Sequence, residues 1–308
     1  MSGKVLVAAP RSFCAGVVRA IDIVEKLLER HGPPIYVRHE IVHNVHVVRD
    51  LESRGAVFVD SEEDVPEGAL VVLSAHGVAP LVYEKCAERG LQVVDAVCPL
   101  VSKVHAEARR YAAGGHRIAL VGHAGHVEVE GTMGEAPDSI VLVETPEDAR
   151  ALEVEDGRSV AYLTQTTLSL DDTAEVVDAL RDRFPDLVGP PSADICYATQ
   201  NRQDAVKTIC EQTSIVLVVG SKTSSNANRL VEVARSEGAD AYLIDDEGDL
   251  DPAWLEGHGS VGLTAGASSP ELLVERVVGR LAELGFDERE DVEIAREDVF
   301  FRLPAELR

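Results

Sequence analysis

Positive charge is scarce in this sequence relative to negative. Against 54 Asp and Glu it carries only 29 Lys and Arg, a formal net charge of −25 over 308 residues. A surface of that sign repels phosphate backbones and anionic headgroups, so the charge argues against nucleic acid and anionic membrane as partners. An anionic small ligand would need a local cradle of donors set against the sign of the whole molecule. No apolar run approaches the roughly 20 residues that span a bilayer, which argues against a helical membrane protein. The opening MSGKVLVAAP has no basic stretch with a cleavage site behind it and enters a strand almost at once, so a cytoplasmic protein is expected. No P-loop and no G-x-G-x-x-G is read in the sequence, so nothing points to a nucleotide, flavin or nicotinamide. Close C-x2-C pairs, the usual source of structural zinc ligands, are missing as well.

What is present is repetition. The chain is long enough to bury about three quarters of its unfolded surface, and its composition, with 45% hydrophobic residues, is that of a globular protein. Cys14, Cys98 and Cys196 divide it into near-equal thirds. Each precedes an amphipathic stretch: SFCAGVVRAIDIVEKLLERHG, AVCPLVSKVHAEARRYAAGG and DICYATQNRQDAVKTICEQT. Each helix is followed by a β-rich strand, at Ile35–Arg38, Ile118–Val121 and Ile215–Val219, and then by a polar loop that places His43, His126 and Ser224 28 or 29 residues beyond the cysteine. A second set of strands ends in Leu73-Ser74-Ala75-His76, Leu163-Thr164-Gln165-Thr166 and Leu263-Thr264-Ala265-Gly266, with helices beginning near Pro80, Asp171 and Pro270. Self-similarity at a fixed period predicts architecture before any single motif does. The expectation is an α/β protein of three pseudo-threefold domains, a trefoil around one centre: residues 1–97, 98–193 and 194–285. A tail, 286–308, alternates like a strand in DVEIAREDVFFRLP and is expected to pack back on the first domain. Val17, Ala20, Ile21, Val24, Leu27 and Leu28 should form the buried face of the first helix, and Leu273, Val274, Val277, Val278 and Leu281 that of the last.

The five cysteines separate into two kinds. Cys86 follows Val82 by one turn, and Cys210 joins Val206 and Ile209 at helical spacing, so both read as small core hydrophobes. Cys14, Cys98 and Cys196 stand instead at strand-to-helix junctions, where unpaired N–H groups and the helix dipole favour thiolate. In a reducing compartment such thiols are more often ligands or catalysts than disulfides. Disulfide pairing would leave one over, and an iron–sulfur cluster held by three thiolates fits best, with one iron left open to a substrate oxygen. A four-iron and a three-iron cluster are equally compatible with the residues.

The loops supply His43, His76, Ser224, Ser225, Asn226 and Ser268, hydrogen-bond donors beyond the carboxyl ends of parallel strands, where α/β proteins bind ligands. Backed by helix N-termini they suit a diphosphate. Glu128, two residues after His126, is a candidate proton donor, with Glu130 beside it equally available.

Nine segments in order, PRSFCAGVVRAI, EIVHNVHVV, SAHGVAP, DAVCPLVSKVH, GHVEVEGTMGE, TQTTLS, DICYATQNRQ, GSKTSSNANRL and TAGASSPE, make the chain resemble the 4-hydroxy-3-methylbut-2-enyl diphosphate reductase family (IspH, also called LytB). The resemblance implies a [4Fe–4S] cluster ligated by Cys14, Cys98 and Cys196 with one open iron. It implies diphosphate contacts from His43, His76, Ser224, Ser225, Asn226 and Ser268. His126 would belong to the proton path or the diphosphate pocket, and Thr166 and Glu128 would lie beside the substrate hydroxyl, with Glu128 as acid. The implied reaction is a two-electron reductive dehydroxylation giving isopentenyl and dimethylallyl diphosphates, the last step of the methylerythritol phosphate route, fed by a ferredoxin or flavodoxin. The family often has Gly at Ser12, an acidic residue at Val18, Thr at Val97 and Pro at Val127, so this chain departs at positions near two of the cysteines. Two other readings compete: a different three-cysteine cluster enzyme such as quinolinate synthase, which would lack a diphosphate cradle, and a non-enzymatic iron or redox sensor, which would not need Glu128.

Overall fold

In a computed structural model, which describes residues 2–155 and 157–308, helices and strands alternate along almost the whole chain. In chain order they are β1 (Lys4–Ala9), α1 (Ala15–His31), β2 (Ile35–Arg38), α2 (Val45–Ser53), β3 (Ala56–Val59), β4 (Leu70–Leu73), α3 (Pro80–Glu88), β5 (Gln92–Asp95) and α4 (Pro99–Ala113). There follow β6 (Arg117–Val121), α5 (Val127–Gly134), β7 (Ile140–Val143), α6 (Pro146–Ala151), β8 (Val160–Thr164) and α7 (Leu170–Arg183). The last third holds α8 (Tyr197–Cys210), β9 (Ile215–Val219), α9 (Ser225–Ser236), β10 (Asp240–Ile244), β11 (Ser260–Ala265), α10 (Glu271–Glu283) and β12 (Glu288–Glu293).

All strands pair in parallel, in three sheets of order β10-β9-β11-β1-β12, β3-β2-β4-β5 and β7-β6-β8. The α/β class and the threefold repetition of a parallel sheet agree with the sequence. The chain forms two compact units, one of residues 1–18, 43–50 and 197–300, the other of 19–42, 51–196 and 301–308. The first unit holds the five-stranded sheet and the second holds the other two.

In the first unit β9, Ile-Val-Leu-Val-Val, is buried along its entire length, as expected of a parallel strand covered on both faces. Its alternate side chains feed two cores: Ile215, Leu217 and Val219 pack with Val274, Val277 and Leu281 of α10. Val216 and Val218 pack with Ala205, Val206 and Ile209 of α8 and Leu230 of α9. Strand β1 was expected with the first third. It lies instead between β11 and β12 in the sheet of the last third, and β12, from the tail, pairs with β1 in register from Lys4↔Glu288 to Ala9↔Glu293. Strand pairing is a long-range choice, and nothing local in KVLVAA names its partner. The reading that no G-x-G-x-x-G is present needs correction: Gly257-His258-Gly259-Ser260-Val261-Gly262 has that spacing, but it runs into β11 rather than from a strand into a helix, so it lacks the setting of a dinucleotide loop.

In the second unit Thr145 and Asp148 form a reciprocal capping box on α6, and the Ser169 side chain caps α7. Pro80 and Pro99 start α3 and α4 at positions where a missing N–H costs nothing. Helix α5 sits unusually close to the loop after β4: a methyl group at Gly134 would overlap Ala79, and one at Gly131 would lie 3.3 Å from the Gly77 carbonyl. The buried face of α1 includes Ala20, Val24, Leu27 and Leu28 as the spacing predicts, but Ile23 is fully buried where Ile21 was expected. Cys86 is completely buried, and burial raises its thiol pKa. Cys210, at the end of α8, is only partly buried and packs against the neighbouring core, with its thiol pushed up to about 11 by the same cause. Both behave as hydrophobes.

Candidate active site

The three remaining cysteines share one local geometry. Each precedes the first turn of a helix, and each directs its backbone N–H to a carbonyl in the loop that follows the second strand of a repeat. Cys14 donates to Ala267 (3.2 Å), Cys98 to Ala75 (2.9 Å) and Cys196 to Thr166 (3.1 Å). All three are intermediate in exposure, and none of the five cysteines is in a disulfide. Soft sulfur donors at helix N-termini are of the kind that fits an iron–sulfur cluster. Among the described residues, no group of three or more His, Cys, Asp or Glu side chains is arranged to hold a single metal ion.

The second unit carries Cys98, Cys196, His76, His126, Glu128 and Thr166. Cys98 is itself the N-cap of α4. His126 caps α5, its Nδ1 accepting the Glu128 N–H at 3.2 Å. That bond leaves Nε2 as the protonated nitrogen of a neutral ring. His76 follows β4, with Nδ1 3.4 Å from the Ser74 hydroxyl, and its ring stands edge-on to that of His126 with centroids 6.2 Å apart.

Glu128 lies in the first turn of α5, 3% exposed, whereas Glu130 faces solvent. Burial thus distinguishes two carboxylates that spacing alone leaves equal. The Oε1 of Glu128 accepts the Thr166 N–H at 2.6 Å and its Oε2 accepts the Thr166 hydroxyl at 3.0 Å. Because Thr166 also accepts the Cys196 N–H, one residue separates the buried acid from a thiol. Burial pushes the Glu128 carboxyl up to about 7, with the Thr166 bonds opposing the shift and the charge of Asp194 adding to it. Between about pH 4.5 and 7 the folded chain therefore keeps a proton that the unfolded chain releases. Glu128 subtracts stability progressively across that window, and by about 3 kcal/mol above it. In cluster-free protein, Glu128→Gln is expected to match wild type near pH 4.5 and to exceed it by up to about 3 kcal/mol at about pH 8 in urea denaturation. Equal stabilities at both pH values would contradict a buried acid held neutral.

The first unit carries Cys14, His43, Ser224, Ser225, Asn226 and Ser268. Ser224 caps α9, accepting the Ala227 N–H, and its hydroxyl lies 3.4 Å from that of Ser268. Ser268 donates to the His43 carbonyl at 2.9 Å. Asn226 accepts the Ala267 N–H at 2.8 Å, next to the carbonyl that holds Cys14, and donates to Thr199. Ser225 opens α9 and is half-buried. Ser224, Ser268 and the His43 carbonyl thus form one hydrogen-bonded group, with Asn226 beside it on the Ala267 N–H. Thr199, buried beneath Asn226, and Ser221, whose hydroxyl accepts the Val45 N–H, complete it. Sequence reasoning missed both, since an isolated hydroxyl residue has no spacing signal.

Ser12 adopts φ 59°, a left-handed conformation that glycine reaches freely and serine does not. A glycine, which the resemblance leads one to expect here, would take this angle without strain. Here the Ser12 hydroxyl donates to Glu271 at 2.6 Å.

Residues 5–282 match the family model described as LytB protein. The 4-hydroxy-3-methylbut-2-enyl diphosphate reductase of Acidothermus cellulolyticus is 58% identical over 99% of this chain and 90% of its own length. The protein of the same name from Bordetella pertussis is 57% identical over 99% and 94%. Among solved structures, the E-1-hydroxy-2-methyl-but-2-enyl-4-diphosphate reductase from Plasmodium falciparum superposes with a TM-score of 0.97 at 39% identity, covering 100% of this chain and 97% of that one. A second, titled as (E)-4-hydroxy-3-methyl-but-2-enyl diphosphate reductase, the terminal enzyme of the non-mevalonate pathway, gives 0.64 at 31% identity, covering 91% and 99%. With the family model spanning most of its length and relatives this similar across almost all of it, the chain belongs to the LytB family.

Proposed function

We propose that this chain reduces (E)-4-hydroxy-3-methylbut-2-enyl diphosphate, the compound its relatives are named for, and that the products are isopentenyl and dimethylallyl diphosphates. The allylic C–O bond breaks, two electrons and two protons are taken up, and the oxygen leaves as water. The observation that carries this reading is the chain Glu128–Thr166–Cys196: a buried acid with a near-neutral pKa, one residue from a thiol.

Cys14, Cys98 and Cys196 hold a [4Fe–4S] cluster in this proposal, with no fourth protein thiolate. When bound, that cluster supplies the electrons and a Lewis-acidic iron. The rest falls to side chains. Hydroxide is a poor leaving group, so an acid must protonate the oxygen, and a carboxyl with pKa about 7 is half-protonated where an enzyme works. Thr166, through its N–H and hydroxyl, fixes the orientation of Glu128. His126, neutral with its proton on Nε2, and His76 present donors to the substrate. His43, Ser224, Ser225, Asn226 and Ser268 bind the diphosphate, with the positive end of the α9 dipole helping to offset the −25 charge of the chain.

The three repeats divide near residues 97 and 193, and the enzyme works in the cytoplasm. No helix among the described residues is long and apolar enough to cross a membrane. Electrons come singly from a ferredoxin or flavodoxin. The test is turnover in oxygen-free protein with reduced methyl viologen as donor. Dye oxidation dependent on the allylic diphosphate, with both C5 diphosphates formed, is expected; brown, cluster-loaded protein that oxidises no dye would contradict the assignment.

A further inference from the structure

The helix after each cysteine carries a cation near its fifth residue. In α1 it is Arg19, in α4 Lys103 and in α8 Arg202. None of them reaches back to the cysteine of its own helix. Arg19 donates through Nη1 to the Val97 carbonyl at 3.0 Å and through Nη2 to that of Asp95 at 3.4 Å, one and three residues ahead of Cys98. Lys103 donates from Nζ to the carbonyls of Ser192 (2.8 Å) and Ala193 (3.1 Å) and to the Asp194 carboxylate (2.9 Å), ahead of Cys196. Arg202, fully buried, donates from Nη2 to the carbonyls of Ser12 (2.6 Å) and Arg11 (3.4 Å), ahead of Cys14. Taken in chain order the three contacts close a cycle: the helix of each thiol grips the backbone that leads to the next.

We propose that Arg19, Lys103 and Arg202 are positioning residues, each setting the approach of the following cysteine so that the three thiols are preset before iron arrives. This rests on the reading of Cys14, Cys98 and Cys196 as cluster ligands. The bonds involved are charge-assisted, and apart from Asp95 at the end of β5 the acceptors lie outside the strands, so the cations can order the segments that lead to each cysteine. The Lys103 node reaches furthest. Asp194 is buried, its Oδ1 on Lys103 and its Oδ2 accepting the Thr164 N–H at 3.0 Å, two residues before the Thr166 that holds Glu128. One ion pair thereby ties the Cys98 helix, the Cys196 approach and the strand end behind the acid. A positioning residue acting this way leaves a directional signature that loss of general stability does not.

The test is pulse alkylation of the full-length, cluster-free protein with iodoacetamide, followed by mass spectrometry of each cysteine peptide. Lys103→Met is expected to speed labelling of Cys196 about tenfold, the equivalent of losing a charged hydrogen bond that closes the segment. Cys14 and Cys98 should keep wild-type rates, and Lys103→Arg should restore most of the protection. Arg19→Met, also at a partly exposed site, is expected to do the same to Cys98 alone, and serves if the Lys103 variant fails to fold. Equal acceleration at all three thiols, or acceleration at the cysteine of the altered helix, would overturn the proposal. The ligand reading is judged separately by iron retained in Cys98→Ser. If iron persists there, that reading fails whatever the labelling pattern; if iron is lost and labelling is not directional, only the cycle fails.

Discussion

Glu128→Gln should abolish most turnover while leaving the protein brown. The loss expected for a general acid is about 10²–10⁴-fold in kcat. Glutamine keeps the shape of the side chain, and its carbonyl still accepts the Thr166 N–H that Oε1 accepts now. What it cannot do is give up a proton. Iron content and substrate affinity should therefore stay at wild-type levels as kcat falls. Glu130→Gln is the control, since Glu130 faces solvent and makes no comparable contact with Thr166. Unchanged kcat in Glu128→Gln, or equal losses in the two variants, would remove Glu128 from the role of acid.

The second large effect concerns iron. Cys98→Ser should yield protein that is colourless or depleted of cluster, and Cys86→Ala should not. Cys98 is the N-cap of α4 and its N–H is bonded to Ala75. Serine is itself a favoured N-cap and retains that backbone bond, so the fold should survive and the loss of iron report thiolate chemistry alone. Cys86 is wholly enclosed by apolar neighbours, so its truncation costs about 1 kcal/mol of packing and no iron. Equal iron in the two variants would contradict the division of the cysteines into ligands and core residues.

Much of the scaffold was legible in the sequence because the repeat exposes it three times. Strands β2 and β9 fall where the β-rich segments predicted them, and α3, α7 and α10 begin at or within one residue of Pro80, Asp171 and Pro270. The illegible parts are those decided at long range. The seat of β1 beside β11 depends on which sheet has an unfilled edge, and that is a property of the assembled last third rather than of Lys4–Ala9. Burial separates Glu128 from Glu130, two carboxylates that spacing left equal and only the family resemblance ranked. The grip of Lys103 on residues 192–194 and of Arg202 on Ser12 joins positions roughly 90 and 190 residues apart. A cation in a helix reads locally as a solvated face, and only the fold shows Arg202 without exposed surface. The Ser12 departure was visible as a sequence oddity, and its meaning came with the backbone angle.

The claim on which the rest depends is that Cys14, Cys98 and Cys196 jointly hold an inorganic cluster. Iron and acid-labile sulfide, measured per chain in protein purified without oxygen, test it most directly. The account predicts about four of each per wild-type chain. Background levels of both in folded, oxygen-free protein would contradict it.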